Sequence, residues 1–536
     1  MPRVLWRTLC AATVKRNAAA GGAHCAPLRR FCKELPMTEQ EITLTEILTA
    51  REERVAIQNA LLSEYRVPVI SFTMNIAGPV KVTGLSHRAF LWGMEQLRLG
   101  FLQNKMKVRK EFSRSLPTGD EGYFAVDAPA EAVKALCVEL EEGTPNMGRL
   151  YDMDVIGTDG RKLERGSERP CIVCGEPGRG CASRRAHSVA ELRENTYILL
   201  HAGLVIADRK RLPILASQAL LEEVFVTPKP GLVDRANNGA HRDMDMSSFL
   251  FSANALQGYW DLCFTRGRAN MLNDEPPAET FSQLRSIGKK AERDMLAATG
   301  GVNTHKGAIF TLGVLCGAVG RLYKPETGFP DIDAILDEAA AMTRETLERE
   351  LPAARWNTAG EALYQKYGVR GIRGQVADGL PAVREIGLPV FQKLLAEGLD
   401  RNHAAAVTLL HLIANVEDTN LLHRGGPEGA KWAREAAGAL IGECRDEQCS
   451  SGIRNECNLP QANPDDRPTA KDRPSGDCLL RKPDKQCLSL QPDLDARVPS
   501  LEEIAELDRM FIERNLSPGG CADLLAVTLF LEALHS

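Results

Sequence analysis

Near Thr196 the periodicity of the chain changes, and that change constrains its folding more than any single motif does. Before it, the pattern predicts a helix over Arg51–Tyr65, a strand over Val67–Ile76, a helix over Ser86–Gly100, a strand over Gly122–Val126, a helix over Ala130–Glu141 and a short strand over Leu150–Ile156. Interleaved periods of 2 and 3.6 residues mean sheet layered with helix, α/β or α+β. After it, long Ala/Leu-rich helical stretches separated by polar Gly/Pro/Asn loops run to the C-terminus. One core cannot serve both patterns. The expected architecture is therefore multidomain, an N-terminal α/β domain over 37–198 followed by an all-α helical domain over 199–536. A chain of 536 residues has room for about three folded units at roughly 100–200 residues each.

Two segments fall outside this plan. Residues 1–36 carry seven Lys or Arg against one acid, Glu34, and their apolar run is cut by Arg7, Lys15 and Arg16. That is no secretory signal; it reads as a disordered or targeting-like extension. Residues 443–499 are crowded with Pro, Asp, Arg and Lys, lack apolar periodicity, and read as a disordered insertion into the helical domain.

A formal charge of −5 with a pI near 6.1 supplies no basic field, which argues against nucleic acid as a partner. No stretch approaches the roughly 20 apolar residues that a membrane span needs. Fifteen cysteines without an export signal point to reduced thiols in the cytoplasm.

The chemistry concentrates at polar loops. Gly148–Val155 is a glycine turn feeding a strand, and alternation puts Asp152 and Asp154 on one face, where two carboxylates can ligate Mg²⁺ beside a polyphosphate. This layout suits nucleotidyl transfer. Asn75–Lys81 follows a strand with a Gly-Pro turn that can present N–H groups and Lys81 to phosphate, and Arg149 adds a cation. Cys171, Cys174, Cys181 and His187 have the ligand types of a structural zinc site, although the spacing is irregular and the interleaved arginines equally suit a phosphate loop. In the helical half, Thr227–Asp234 is a proline-stiffened loop holding Lys229 and Asp234. His241–Asp245 sets Asp243 and Asp245 before a helix, where capping alone would also explain an acid. Asn303–Gly307 brings Asn303, His305 and Lys306 to a helix N-terminus suited to phosphate. Asp418, Asn420 and Arg424 lie in another such loop, and Ser517 starts a helix whose Gly519 and Gly520 each cost about 1 kcal/mol relative to Ala, which suggests close approach of a ligand. Together these loops point to a Mg-nucleotide pocket.

At these residues the second half resembles the triphosphoribosyl-dephospho-CoA synthase family, through Thr227–Asp234, His241–Asp245, Gly288 to Gly307, Asp418–Gly426 and Asn515–Asp523. The first half resembles the apo-citrate lyase phosphoribosyl-dephospho-CoA transferase family, through Asn75–Lys81, Gly148–Val155 and Cys171–His187, which implies a nucleotidyltransferase-like fold. Together they resemble the bifunctional fusion that makes and attaches the citrate lyase prosthetic group.

The resemblance implies that ATP and 3′-dephospho-CoA give 2′-(5″-triphosphoribosyl)-3′-dephospho-CoA and adenine. A serine of the citrate lyase acyl carrier (gamma) subunit then takes the phosphoribosyl-dephospho-CoA group, releasing diphosphate. It further implies base and Mg²⁺ roles for Asp234, Asp243 or Asp245. Lys229, Lys306 and Arg424 would meet phosphates, and His241, Asn303, His305, Asp418, Asn420, Ser517, Gly519, Gly520 and Asp523 would bind substrate. Asp152 and Asp154 would hold the second Mg²⁺, with Lys81 and Arg149 nearest the polyphosphate. Cys521 departs from the small hydroxyl residue usual in the family, and Ala77 from proline. The alternatives are the same chemistry serving the malonate decarboxylase carrier, or a non-catalytic zinc and nucleic-acid adaptor.

Overall fold

In the computed structural model, which describes residues 40–350, 359–442 and 497–535, β1 (Val69–Met74) lies inside a four-stranded sheet. With β2 at Lys107–Leu116, β3 at Gly119–Asp127 and β4 at Tyr151–Ile156, the order is β2-β3-β1-β4. Every pairing is antiparallel, β1 meeting β3 through Val69↔Ala125 and β4 through Val69↔Ile156. The mixed α/β domain expected from the sequence is present, with an antiparallel rather than parallel sheet. The expected extension at 1–36, and the expected insertion except for residues 497–499, lie outside the described residues.

Register assigns each strand residue to a face. Ile70, Phe72, Phe124, Met153 and Val155 point to one side and pack with Phe90, Met94 and Leu97 of the helix Gly84–Gln103 and Val133 and Leu136 of the helix Ala130–Gly143. The other side starts apolar, with Val69, Tyr123 and Ala125 against Leu61 of the helix Leu44–Tyr65. Further along, that same side carries Ser71, Thr73, Glu121, Asp152 and Asp154. Since β4 is an edge strand, its two aspartates sit at a border open on one flank. The helices begin where their sequences cap them: Thr43 with Glu46, and Thr83 with Ser86, form reciprocal capping boxes.

The described residues group into two compact units. One runs to Asp208 and includes Lys324–Gly328; the other takes Arg209–Tyr323 and continues from Phe329. The second is predominantly helical and is built around the helix Lys306–Leu322, which is buried from Ala308 to Arg321 apart from Phe310. Its glycines admit a neighbouring helix, Gln257–Leu272, at backbone contact: a Cβ on Gly320 would lie 2.1 Å from the carbonyl oxygen of Phe264, and one on Gly267 would lie 2.0 Å from that of Gly317. Backbone cannot yield as a side chain can. Gly320→Ala should therefore lower stability by about 1–3 kcal/mol, read as an earlier midpoint in chemical denaturation; an unmoved midpoint would refute this packing. Among the described residues, no helix is long and apolar enough to cross a membrane.

Candidate functional sites

In the helical unit the loops converge. A cavity of about 1000 Å³ is lined by Lys229, His241, Asp243, Asn303, His305, Lys306, Asp418, Asn420, Arg424, Ser517, Gly519, Gly520 and Asp523, all read from the sequence as site residues. Asp234 and Asp245 are not in its wall. The Asp234 carboxylate staples its own loop, accepting from the N–H groups of Lys229 (3.1 Å), Ala236 (2.7 Å) and Asn237 (3.0 Å). Asp245 caps the helix Met246–Ala255 through Ser248 (2.9 Å).

Charge inside the cavity is organised by burial. Lys229 is 1% exposed and donates Nζ to the Glu223 side chain at 2.6 Å and to the Glu223 carbonyl at 2.8 Å. Asp418 caps the helix Thr419–Ile441 with one oxygen and accepts from Cys521 N–H (2.8 Å) with the other; burial raises its carboxyl despite these bonds. Asp523 is pushed well above the usual carboxylate range, first by burial and then by Glu223 and Asp418, while the N–H of Ala308 pulls the other way. Gly307 makes room for it, since a Cβ there would sit 1.8 Å from Asp523 Oδ2. The result is a carboxyl whose neutral form is favoured beside other carboxylates, one of them ion-paired with a lysine.

Two of the wall histidines, His305 and His241, are shifted toward the neutral form. Burial, then Lys229, takes His305 down to about 3, and its Nδ1 meets Ser252 Oγ at 2.6 Å. His241 is lowered by burial and by Arg424, whose Nη2 lies 3.1 Å from its Nδ1. Because a guanidinium only donates, Nδ1 accepts, and His241 Nε2–H donates to Ser517 Oγ at 2.8 Å. Arg424 also bonds the Ala240 carbonyl (2.7 Å) and Asn515 (3.2 Å), so it braces three loops. The glycines at 519 and 520 have a different reason from the expected one. A Cβ at 519 would lie 2.6 Å from Asn420 Nδ2 and one at 520 would lie 2.9 Å from Asp418 Oδ2, so the close approach is to protein side chains.

Sequence reading missed part of this wall. Glu223, Thr304 and the segment Val369–Gln375, with Arg370 and Arg373, all line the cavity. Two arginines three apart among three glycines, Gly368 to Gly374, were the available signal. Three wall atoms, Thr304 Oγ1, His305 Nε2 and Arg370 Nη2, are buried with no partner among the described residues.

The sheet unit presents a second site. Asp152 and Asp154 share a face of β4 and are partly exposed; Asp152 lies 3.3 Å from Arg169 and Asp154 lies 2.6 Å from Lys162. The turn bearing Lys81 leaves β1 beside the start of β4, where Asn75 N–H donates to Leu150 (2.7 Å). Lys81 Nζ donates to the Ile76 carbonyl at 2.6 Å, and burial with Arg51 nearby lowers its pKa. Arg193 packs over Gly78, 2.8 Å from where a Cβ would stand, and Gly78 has φ +91°. Arg149 donates Nε to Pro170, while its Nη1 is buried without a partner among the described residues. Arg169 and Arg193 were not anticipated. Among the described residues, the set of three or more His, Cys, Asp or Glu side chains gathered within ligand reach is Cys171, Cys174, Cys181 and His187.

Comparison with known proteins follows the same division. The family described as ATP:dephospho-CoA triphosphoribosyl transferase (CitG) matches residues 209–461 and 485–536. The family described as Apo-citrate lyase phosphoribosyl-dephospho-CoA transferase (CitX) matches residues 42–202. The chain is 32% identical over 521 residues to Protein CitXG of Haemophilus influenzae, spanning 94% of this chain and 98% of that one. It is 29% identical over 513 residues to Protein CitXG of Leuconostoc mesenteroides subsp. cremoris, spanning 92% and 98%. It is also 38% identical over 319 residues to a probable 2-(5″-triphosphoribosyl)-3′-dephosphocoenzyme-A synthase of Citrobacter koseri, spanning 59% and 88%.

Proposed function

The chain belongs to the family in which the CitX and CitG sequences are fused, and from that premise we propose how its residues divide two consecutive transfers. The function is synthesis of 2′-(5″-triphosphoribosyl)-3′-dephospho-CoA from ATP and 3′-dephospho-CoA, followed by transfer of the phosphoribosyl-dephospho-CoA group to the acyl carrier subunit of citrate lyase. It is a bifunctional transferase.

The first transfer belongs to the helical cavity. A ribose 2′-hydroxyl displaces adenine at the anomeric carbon of ATP, so one group must take the hydroxyl proton and another must give a proton to the leaving base. Carboxyls whose environments differ this way suit the two roles. Asp523, whose neutral form is favoured by burial, Glu223 and Asp418, is the acid. Glu223, ion-paired with Lys229, is the base. Arg370, Arg373 and Lys306 hold the triphosphate. Asp234, Asp245 and Arg424 set the loops, while His241 orients Ser517. The observation that carries this reading is the trio of buried, unpartnered atoms at Thr304, His305 and Arg370 on the wall that holds these acids. A buried polar atom without a partner is costly unless a ligand satisfies it.

The second transfer belongs to the end of β4. A serine hydroxyl of the carrier attacks the phosphorus nearest the ribose, and diphosphate leaves. Arg149 and Lys81 meet the polyphosphate, and the orphaned Nη1 of Arg149 supports that placement. Magnesium suits Asp152 and Asp154, two hard oxygen donors on one face, because it takes one or two carboxylates and completes its shell with phosphate and water. Asp243 offers the corresponding carboxylate in the helical cavity. Held by Asp152 and Asp154, the ion would neutralise phosphate charge as the diphosphate departs; in the helical cavity, where adenine leaves, it would neutralise the triphosphate that stays. The soft donors Cys171, Cys174, Cys181 and His187 suit zinc instead. ATP as substrate and the free thiols of the described cysteines favour the cytoplasm.

The test is direct. The protein is incubated with ATP, Mg²⁺ and dephospho-CoA, adenine is followed by chromatography, and the carrier is then added and weighed. Adenine release followed by a carrier mass increase equal to phosphoribosyl-dephospho-CoA is expected; no adenine, or an unmodified carrier, would refute the assignment.

A further inference from the structure

We propose that Cys171, Cys174, Cys181 and His187 bind one zinc ion, and that this ion fixes Arg149 and Arg169 beside the Asp152 end of β4. The binding half stands alone; the positional half rests on the transfer site proposed above.

The donors are already gathered. Their ligand atoms all lie within 4.8 Å of one another, with Cys174 Sγ 3.4 Å from Cys181 Sγ and 3.3 Å from His187 Nε2. A tetrahedral zinc with Zn–S near ~2.3 Å and Zn–N near ~2.0 Å spaces its donors by about 3.5–3.8 Å. A disulfide would need sulfurs about 2.05 Å apart and would leave the other two donors without a purpose.

The surrounding chain also requires a staple. From Arg161 to His187, Cys181 is the only buried residue, and only the partly buried Leu163 and Ile172 reach the apolar core, so little burial holds the segment. It is nonetheless sharply folded. Cys171 N–H donates to Glu176 (2.7 Å), Gly175 N–H returns to Cys171 (3.0 Å), and Pro170 bridges Pro177. Val173 N–H points at Cys171 Sγ from 3.5 Å. A small segment with so little apolar burial that adopts one fold around three thiols and an imidazole has the makings of a structural metal site.

The hairpin is tied to the acidic strand through two guanidiniums. Arg149 donates to Pro170, at the base of the hairpin. Arg169 donates to the Tyr151 carbonyl (2.8 Å), pairs with Asp152 (3.3 Å) and reaches the buried Glu141, which also accepts Met153 N–H (2.9 Å). Gly178 lets the returning chain close over both: a Cβ there would meet the Arg169 carbonyl at 2.8 Å and Arg149 Nη2 at 3.7 Å. Loosening the hairpin therefore releases the cations that face the polyphosphate.

The full chain is tested by metal analysis after exposure to zinc and dialysis, with Cys174→Ser alongside. About one zinc per chain is expected, falling to near zero in the variant. Stripping zinc with a chelator should raise KM for the triphosphoribosyl precursor in carrier transfer at least about tenfold, reversibly, with adenine formation level as the check on folding. Arg149→Ala should raise the same KM and make it insensitive to zinc. Less than about a tenth of an equivalent of zinc in the wild type overturns the site. An unmoved KM on stripping, or a full further loss in Arg149→Ala, overturns the coupling. One zinc per chain with no carrier transfer at all overturns the transfer reading, and the coupling with it, while the metal site stands.

Discussion

Adenine formation by Asp523→Asn should fall by about 10²–10⁴-fold, the usual weight of a general acid, with carrier transfer from supplied precursor unchanged. Asparagine keeps the shape and can still accept the Ala308 N–H, but it has no proton to give. The same variant should be more stable than the wild type at neutral pH. Burial, Glu223 and Asp418 raise this carboxyl in the folded state above its ordinary 3.8, so the folded protein binds a proton that the unfolded chain has released. The proton count then makes stability fall as pH rises from the unfolded value through the folded one, and Asn escapes that loss. Thermal melts at about pH 5 and pH 8 should show the variant's advantage widening with pH. Retained adenine formation, or an advantage that shrinks as pH rises, would remove Asp523 from the proposed role.

Carrier modification by Asp152→Asn should fall by about 10²–10³-fold, as expected for loss of a group that stabilises charge at phosphorus. Adenine formation should not change, because the acids proposed for it lie in the other unit. The measurement pairs the carrier mass shift with adenine chromatography on one preparation. Loss of both activities together would contradict two separate sites. Asp154→Asn should be milder where Lys162 alone neutralises that carboxylate, 2.6 Å away at a 28% exposed side chain.

How much was legible depended on whether local pattern or distant neighbours set a residue's role. Helices announced themselves by apolar period and caps, and Ala130–Gly143 begins at the expected residue and ends two residues beyond the expected Glu141. β2 did not. Lys107–Leu116 alternates charge with charge, because its outward face is solvated and its inward cations are paired: Arg114 meets Glu121 at 2.8 Å and Glu53 at 3.1 Å. Two of its cations, Arg109 and Arg114, form ion pairs with β3 through Asp127 and Glu121. Arg370 and Arg373 were overlooked because a glycine-rich loop has no period from which to argue.

The sequence by itself determined the mixed and helical halves, the facing of Asp152 with Asp154, and the set of polar loops worth attention, since these follow from periodicity, capping and residue chemistry over a few neighbours. Only the tertiary structure decided which aspartates do local work and which face the cavity. Asp234 and Asp245 bond backbone within two to five residues, whereas Asp523 owes its raised carboxyl first to burial and then to Glu223, some 300 residues earlier in the chain. Desolvation and through-space charge depend on what the fold brings near, and no local spacing encodes them.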